Sequence, residues 1–314
     1  MSKTAFVFPG QGSQIVGMGK ELADSSEVVQ HIFTRANTAL AEELSSLIFN
    51  GPQETLTLTV NAQPSLLTTS IAILEKFKEA NIVPSYVAGH SLGEYTALVA
   101  SGALSFEDGV RTVRKRGEFM EEAVPAGQGT MAAILGMNSD DLQDVTDEIS
   151  ASGHPVQLAN INCPGQIVIS GAAEGVKQAC ELAKGKGAKR AIPLEVSGPF
   201  HSSLMEPAAE KLRSVLDQIE INDATVPVVA NVNAREMTSA DQIKENLVKQ
   251  LYSPVLWEHS VQYMLDQGVD TFIEIGPGKV LSGLIKKINR KVTTYAISDI
   301  ETLEATVRAL QEGN

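Results

Sequence analysis

Residues 86–93 read Tyr86-Val87-Ala88-Gly89-His90-Ser91-Leu92-Gly93, and this stretch decides the fold. Tyr86-Val87-Ala88 has the apolar character of a short buried strand, and residues 94–100 are rich in good helix formers. Strand, Gly-x-Ser-x-Gly and helix in that order make a nucleophile elbow. The residue types follow from the geometry. A serine hydroxyl projects from a sharp strand-to-helix turn only if the residues two positions away carry no colliding side chain. Glycine also accepts the backbone angles that such a turn demands. The turn leaves Ser91 at a helix N-terminus, where free N–H groups and the dipole favour developing negative charge. A Gly-x-Ser-x-Gly can arise by chance, but chance copies seldom fall between a strand and a helix. Ser91 is the expected nucleophile.

Upstream, the apolar run over 5–8 reads as a strand buried on both faces. It ends at Pro9-Gly10-Gln11-Gly12-Ser13-Gln14, a loop that is either an ordinary tight turn or a place of close backbone approach to a ligand. Its glycine spacing is not that of a dinucleotide site. Helices are predicted over 27–40, 41–49 and 64–80. Past the elbow, a further helix is predicted over 106–123. At about 100° per residue, Val110, Val113, Gly117 and Met120 fall within one arc of about 80° that faces the core. Arg111, Lys115, Glu118 and Glu122 point away. Arg116 sits at the border, where it either snorkels, the commoner case, or reaches into a pocket to bind an anion. Spacing leaves both open.

The rhythm changes near Gly127. Strands over 130–135, 156–161, 166–170 and 189–194, with helices over 139–149 and 173–184, give the order β-α-β-β-α-β of a ferredoxin-like unit. It is expected as an inserted domain, residues 126–196, between two parts of a large domain, residues 1–125 and 197–314. The second part continues with a helix over 205–219, a strand over 226–232, helices over 240–251 and 257–267, and a strand over 271–275. Gly276-Pro277-Gly278-Lys279 lacks P-loop spacing and reads as a turn. The fold class is therefore α/β: a large α/β-hydrolase-like domain with a mainly parallel sheet, plus the small insertion.

Composition narrows the function. At 314 residues, with 43% hydrophobic and 20% charged residues, the chain suits a soluble globular protein. Lys and Arg number 25 against 38 Asp and Glu, a net charge of −13 that argues against nucleic acid or an anionic membrane as main partner. Cys163 and Cys180 have neither metal-ligand nor redox-pair spacing. No signal-peptide core or apolar run of transmembrane length occurs, so a cytoplasmic protein is expected.

A serine nucleophile needs a base, usually histidine. His31 and His259 lie in amphipathic helices, and His154 lies in a polar turn. His90 adjoins Ser91, where an elbow points the neighbouring side chain away. His201 lies in a Gly/Pro loop, Ser197-Gly198-Pro199-Phe200-His201, re-entering the large domain where an insertion leaves a loop near the cleft. His201 is the expected base. No acid stands out as a third member; a backbone carbonyl fixing the imidazole tautomer meets the same need. The oxyanion donors are expected to be the N–H of Leu92 and one from Gly10-Gln11-Gly12.

Together, Phe6-Val7-Phe8-Pro9-Gly10-Gln11-Gly12-Ser13-Gln14, Gln63-Pro64, Gly89-His90-Ser91-Leu92-Gly93-Glu94-Tyr95, Arg116-Gly117, Phe200-His201 and Glu274-Ile275-Gly276-Pro277 closely resemble the malonyl-CoA:acyl carrier protein transacylase family of type II fatty acid synthesis. The resemblance runs nearly end to end. It implies a two-step acyl transfer through a malonyl-serine on Ser91, with His201 as base and the N–H groups of Gln11 and Leu92 as oxyanion donors. It further implies that Arg116 clamps the malonyl carboxylate and that the Gln250 backbone carbonyl orients His201. Lys249-Gln250-Leu251 with Pro254-Val255 and Trp257 carries the last of these. Phe200 resembles the malonyl-selective form that excludes branched acyl groups. Cys163 and Gly198 stand where relatives often carry other small residues. The resemblance implies no cofactor or metal, with malonyl-CoA as substrate and acyl carrier protein as partner. The sequence does not give the oligomeric state, and a monomer is the default expectation.

The implied carrier is acidic, as is this chain, so a docking patch must be local. Lys184, Lys186, Lys189 and Arg190 form one basic cluster, and Lys286, Lys287, Arg290 and Lys291 another. Either is a solvated face or a steering patch at the cleft mouth. Two rival functions remain open at this stage: a serine hydrolase sharing the elbow, and a non-catalytic carrier-binding descendant.

Overall fold

A computed structural model describes residues 3–312; residues 1, 2, 313 and 314, at the ends of the expected first and last segments, lie outside the described residues. The strands in chain order are β1 (Lys3–Phe8), β2 (Tyr86–Gly89), β3 (Gly129–Leu135), β4 (Val156–Cys163), β5 (Gln166–Ala172), β6 (Arg190–Pro193), β7 (Val228–Val229), β8 (Glu236–Met237), β9 (Val269–Ile275) and β10 (Thr293–Ile297). Six form one sheet in the order β10-β9-β1-β2-β7-β8, parallel except for the β7–β8 edge. The other four form a separate antiparallel sheet, β4-β5-β3-β6. With its two helices, Ser139–Ala151 and Ala173–Gly185, that is the ferredoxin-like pattern, and it closes over its own apolar core.

The parallel sheet positions the site. β1 and β2 are neighbours in register, Phe8 opposite Gly89, so their C-terminal ends open side by side. Ligand sites in such sheets lie outside the carboxyl ends of the strands. The loop at 9–14 and the elbow therefore face the same space.

Three elements differ from expectation. The helix expected over 64–80 runs Thr59–Phe77 and continues as a 3-10 turn over Lys78–Ala80, so Pro64 lies inside it. Packing overrides the proline: nearly the whole helix is buried, and a Cβ on Gly117 would stand 2.9 Å from Val60 Cα. The strand expected over 226–232 shrinks to β7, because Ala230 N–H turns back to Arg235 O at 2.9 Å and forms a tight hairpin with β8. The helix Leu44–Asn50 starts three residues later than expected. Short helices at Lys20–Ser25 and Gln53–Thr57, the strand β10 and the helix Ile300–Glu312 add to the expected elements.

Candidate active site

The elbow is strained at Ser91 itself. Ser91 has φ 52° and ψ −107°, a region that L-residues rarely occupy and that costs about 1–3 kcal/mol. The flanking glycines have ordinary φ; they serve close approach. A Cβ on Gly89 would lie 1.9 Å from Gly93 C, and one on Gly93 2.1 Å from Phe8 O. Asn231, beyond β7, holds the strained turn from both sides. Its Oδ1 accepts from Ser91 N–H at 2.8 Å, and its Nδ2 donates to Gly89 O at 2.8 Å. The one signal for Asn231 in the sequence is a polar residue inside the otherwise apolar run 226–232.

His201 Nε2 stands 2.7 Å from Ser91 Oγ. His201 Nδ1 lies 2.8 Å from the Gln250 carbonyl oxygen. A carbonyl only accepts, so Nδ1 carries the proton and Nε2 is left to accept from the serine hydroxyl. The carbonyl is available for a physical reason. Gln250 ends the helix Ala240–Gln250, where the last carbonyls lack intrahelical partners. Pro254 has no N–H to offer it and steers the chain away, to where Val255 pairs with β4. His201 itself has φ 57°. Burial, reinforced by the nearby Arg116 charge, pushes its pKa down to about 3, so the resting imidazole is neutral and Nε2 is unprotonated.

Arg116 does not snorkel. It is 1% exposed and turned into the site. Nη1 donates to Gln63 Oε1 at 2.7 Å, and Nη2 to Gln250 Oε1 at 2.9 Å and Ser91 Oγ at 3.1 Å. The guanidinium carbon lies 5.3 Å from the Tyr95 ring centroid. Arg116 Nε is buried without a hydrogen-bond partner. Beneath these groups Glu94 is fully buried, and desolvation raises its pKa to about 7 against the lowering by Gln250 and Asn231. Gln63 and Glu94 belong to the family-like motifs Gln63-Pro64 and Gly93-Glu94-Tyr95, but sequence alone gives neither a role.

Ser91, His201 and Arg116 line one cavity of about 340 Å³, together with Gln11, Leu92 and Phe200. Gln11 and Leu92 border it beside Ser91; Leu92 is the first residue of the elbow helix, so its N–H has no intrahelical acceptor. Phe200, with Met120 and Met131, forms an apolar wall. His90 also lines the cavity, but its Nε2 is bonded to Asn162 Oδ1 at 2.8 Å rather than to the serine. His31 and His259 are exposed. Burial pushes the Cys163 thiol up, which leaves it inert as a nucleophile. Lys189, Arg190, Lys286 and Lys287 are exposed and outside the cavity.

Among the described residues no helix is long and apolar enough to cross a membrane. The acyl transferase domain family matches residues 5–305. The malonyl CoA-acyl carrier protein transacylase of Bacillus subtilis is 64% identical over 100% of this chain and 99% of its own length. A solved malonyl CoA-acyl carrier protein transacylase from Clostridium perfringens superposes with a TM-score of 0.96 at 45% identity, covering 99% of this chain and 98% of the other. A structure of a type II PKS acyl-carrier protein in complex with its malonyl-transacylase matches with a TM-score of 0.95 at 44% identity, covering 98% and 100%. With such identity along nearly its whole length, the chain belongs to the acyl transferase family, among the malonyl CoA-acyl carrier protein transacylases.

Proposed function

We propose that Ser91, His201 and Arg116 transfer the malonyl group from malonyl-CoA to the phosphopantetheine thiol of an acyl carrier protein, for fatty acid biosynthesis. One observation carries this reading: His201 Nε2 and Arg116 Nη2 converge on the same oxygen, Ser91 Oγ, at 2.7 and 3.1 Å. The first is what a nucleophile needs. The second supports a clamp: a permanent, forked cation beside the serine suits a carboxylate two bonds beyond the attacked carbonyl.

In the loading half, Ser91 Oγ attacks the thioester carbonyl as its proton passes to His201 Nε2. The N–H groups of Gln11 and Leu92 receive the oxyanion. Collapse breaks the C–S bond, and His201 returns the proton to the CoA sulfur. In the second half the carrier thiol gives its proton to His201 and attacks the malonyl-serine ester, and the serine oxygen takes the proton back. Arg116 holds the malonyl carboxylate throughout, and Phe200 crowds any branch at the middle carbon.

The basic residues support a carrier surface. Lys189 lies over Gly136, where an added Cβ would be 2.6 Å from Lys189 Cγ, and Gly136 N–H bonds Gly165 O at 2.8 Å. Lys287 Nζ donates to Gln166 Oε1 at 3.2 Å. Two clusters remote in sequence thus flank one turn, residues 163–166, next to the Asn162 that touches His90. We take Lys189, Arg190, Lys286 and Lys287 as the carrier-steering patch, residues 126–196 as the inserted unit, and the protein as a cytoplasmic monomer without cofactor, metal, nucleic acid or membrane partner.

Intact-protein mass after brief mixing with malonyl-CoA tests the reading, with Ser91→Ala as control. A malonyl-sized adduct on the wild type alone, discharged by holo carrier protein, is expected. An adduct lost to free malonate without carrier would mark a hydrolase, and no adduct a non-catalytic binder.

A further inference from the structure

Glu94 sits in the first turn of the elbow helix Leu92–Ala100, three residues after the nucleophile, and is completely buried. Its Oε2 accepts from Gln250 Nε2 at 2.9 Å and from Asn231 N–H at 3.2 Å, while Oε1 has no hydrogen-bond partner among the described residues. A carboxyl group held in a dry interior without a direct ion pair is unfavourable for folding. What it holds is the Gln250 amide. Gln250 Oε1 accepts from Arg116 Nη2, and its Nε2 donates to the Ser91 carbonyl and to Glu94, all at 2.9 Å. Flipping that amide would set NH₂ against the guanidinium and oxygen against the carboxyl, so Arg116 and Glu94 together select one orientation.

We infer that Glu94 is a positioning residue for malonyl selectivity: through the Gln250 side chain it fixes the Arg116 guanidinium where the substrate carboxylate arrives. This rests on the clamp role proposed for Arg116. Glu94 itself is not among the residues lining the cavity. The imidazole contact uses the Gln250 main chain, which is independent of the amide's orientation. An acyl group without a carboxylate makes no use of Arg116. Losing Glu94 therefore weakens malonyl loading and spares acetyl loading, whereas a merely structural role would lower both alike.

The test compares kcat/KM for serine loading by malonyl-CoA and by acetyl-CoA in the full chain. Glu94→Ala is expected to lower the malonyl-to-acetyl ratio about tenfold, mainly through the malonyl-CoA KM, as loss of a hydrogen bond to a charged group implies. Glu94→Gln, whose amide oxygen can replace Oε2, restores most of the ratio. Gln250→Met keeps the backbone carbonyl and should reproduce the loss, and adding Glu94→Ala to it should change the ratio no further. Equal losses for both substrates, or additive losses in the double variant, overturn the proposal. Should Glu94→Ala fail to fold, an unchanged ratio in Gln250→Met overturns it. Arg116→Ala run alongside separates the layers. If it keeps the malonyl preference, the clamp itself fails; if it loses the preference while Glu94→Ala keeps it, only the role of Glu94 fails.

Discussion

At the scale of single residues the proposed site turns on one buried cation. Among the described residues Arg116 has no direct carboxylate partner, only Gln63, Gln250, the Ser91 hydroxyl and the Tyr95 ring. Such a cation is stabilised when a substrate carboxylate joins it. Arg116→Ala should cut malonyl loading of Ser91 by about a hundredfold, near the upper range for a lost charged hydrogen bond, and leave neutral acyl groups tolerated or favoured. Adduct formation from malonyl-CoA and acetyl-CoA reads this directly, and malonyl loading that survived intact would remove Arg116 from the clamp. The border position of Arg116 on its helix was visible in sequence; which way it turned was not, because that depends on Gln63 and Gln250, 53 and 134 residues away. His201 carries a second expectation. Its folded pKa lies near 3, below the ordinary 6.5, so the neutral base persists as pH falls through 6.5. The pH profile of Ser91 loading by acetyl-CoA, which makes no use of the Glu94–Arg116 arrangement, should then show no acid limb near 6.5. A limb there would mean that the imidazole is not held neutral in the working enzyme.

At the scale of elements, β4 ties the antiparallel sheet to the loops that carry His201 and follow Gln250. Val255 N–H donates to Ala159 O at 2.8 Å, and Ile161 N–H to Val255 O at 2.9 Å. Gln157 on the same strand donates through Nε2 to His201 O at 3.3 Å and Tyr252 O at 3.4 Å, and accepts from Ser203 N–H at 2.9 Å. The left-handed backbone of His201 is thus pinned from the second sheet. Gln157→Ala should lower kcat for malonyl and acetyl loading by the same factor, roughly fivefold, with KM little changed, since loosening the base affects both substrates alike. A change confined to KM or to one substrate would show that Gln157 does not act through His201. Local pattern made most elements legible: the helix expected over 27–40 is Glu27–Leu40, and the order of strands and helices in the small sheet holds throughout. What local pattern could not show is the pairing of Val255 with β4, or why residues 226–232 yield only two strand residues. Both depend on long-range partners.

At the scale of the whole molecule, charge is the unresolved tension. A chain of net charge −13 repels any acidic partner, so an acidic carrier would call for a local basic patch; Lys189 and Lys287, about a hundred residues apart in sequence, lie on either side of the turn at 163–166. Arg190 and Lys287 suit a test, because both are exposed and neither lines the cavity. A chain carrying Arg190→Glu and Lys287→Glu should lose about tenfold in kcat/KM for holo carrier protein at low ionic strength, because steering acts mainly on encounter. Raising salt should narrow the gap to wild type, as exposed charges are screened beyond about 10 Å at 0.1 M. Loading by malonyl-CoA should change less than transfer, because the site that holds the acyl group is untouched. The comparison of half-reactions is what decides. If loading and transfer fell together, the patch would be serving the phosphates of CoA, and the carrier would have to approach the cavity from another side.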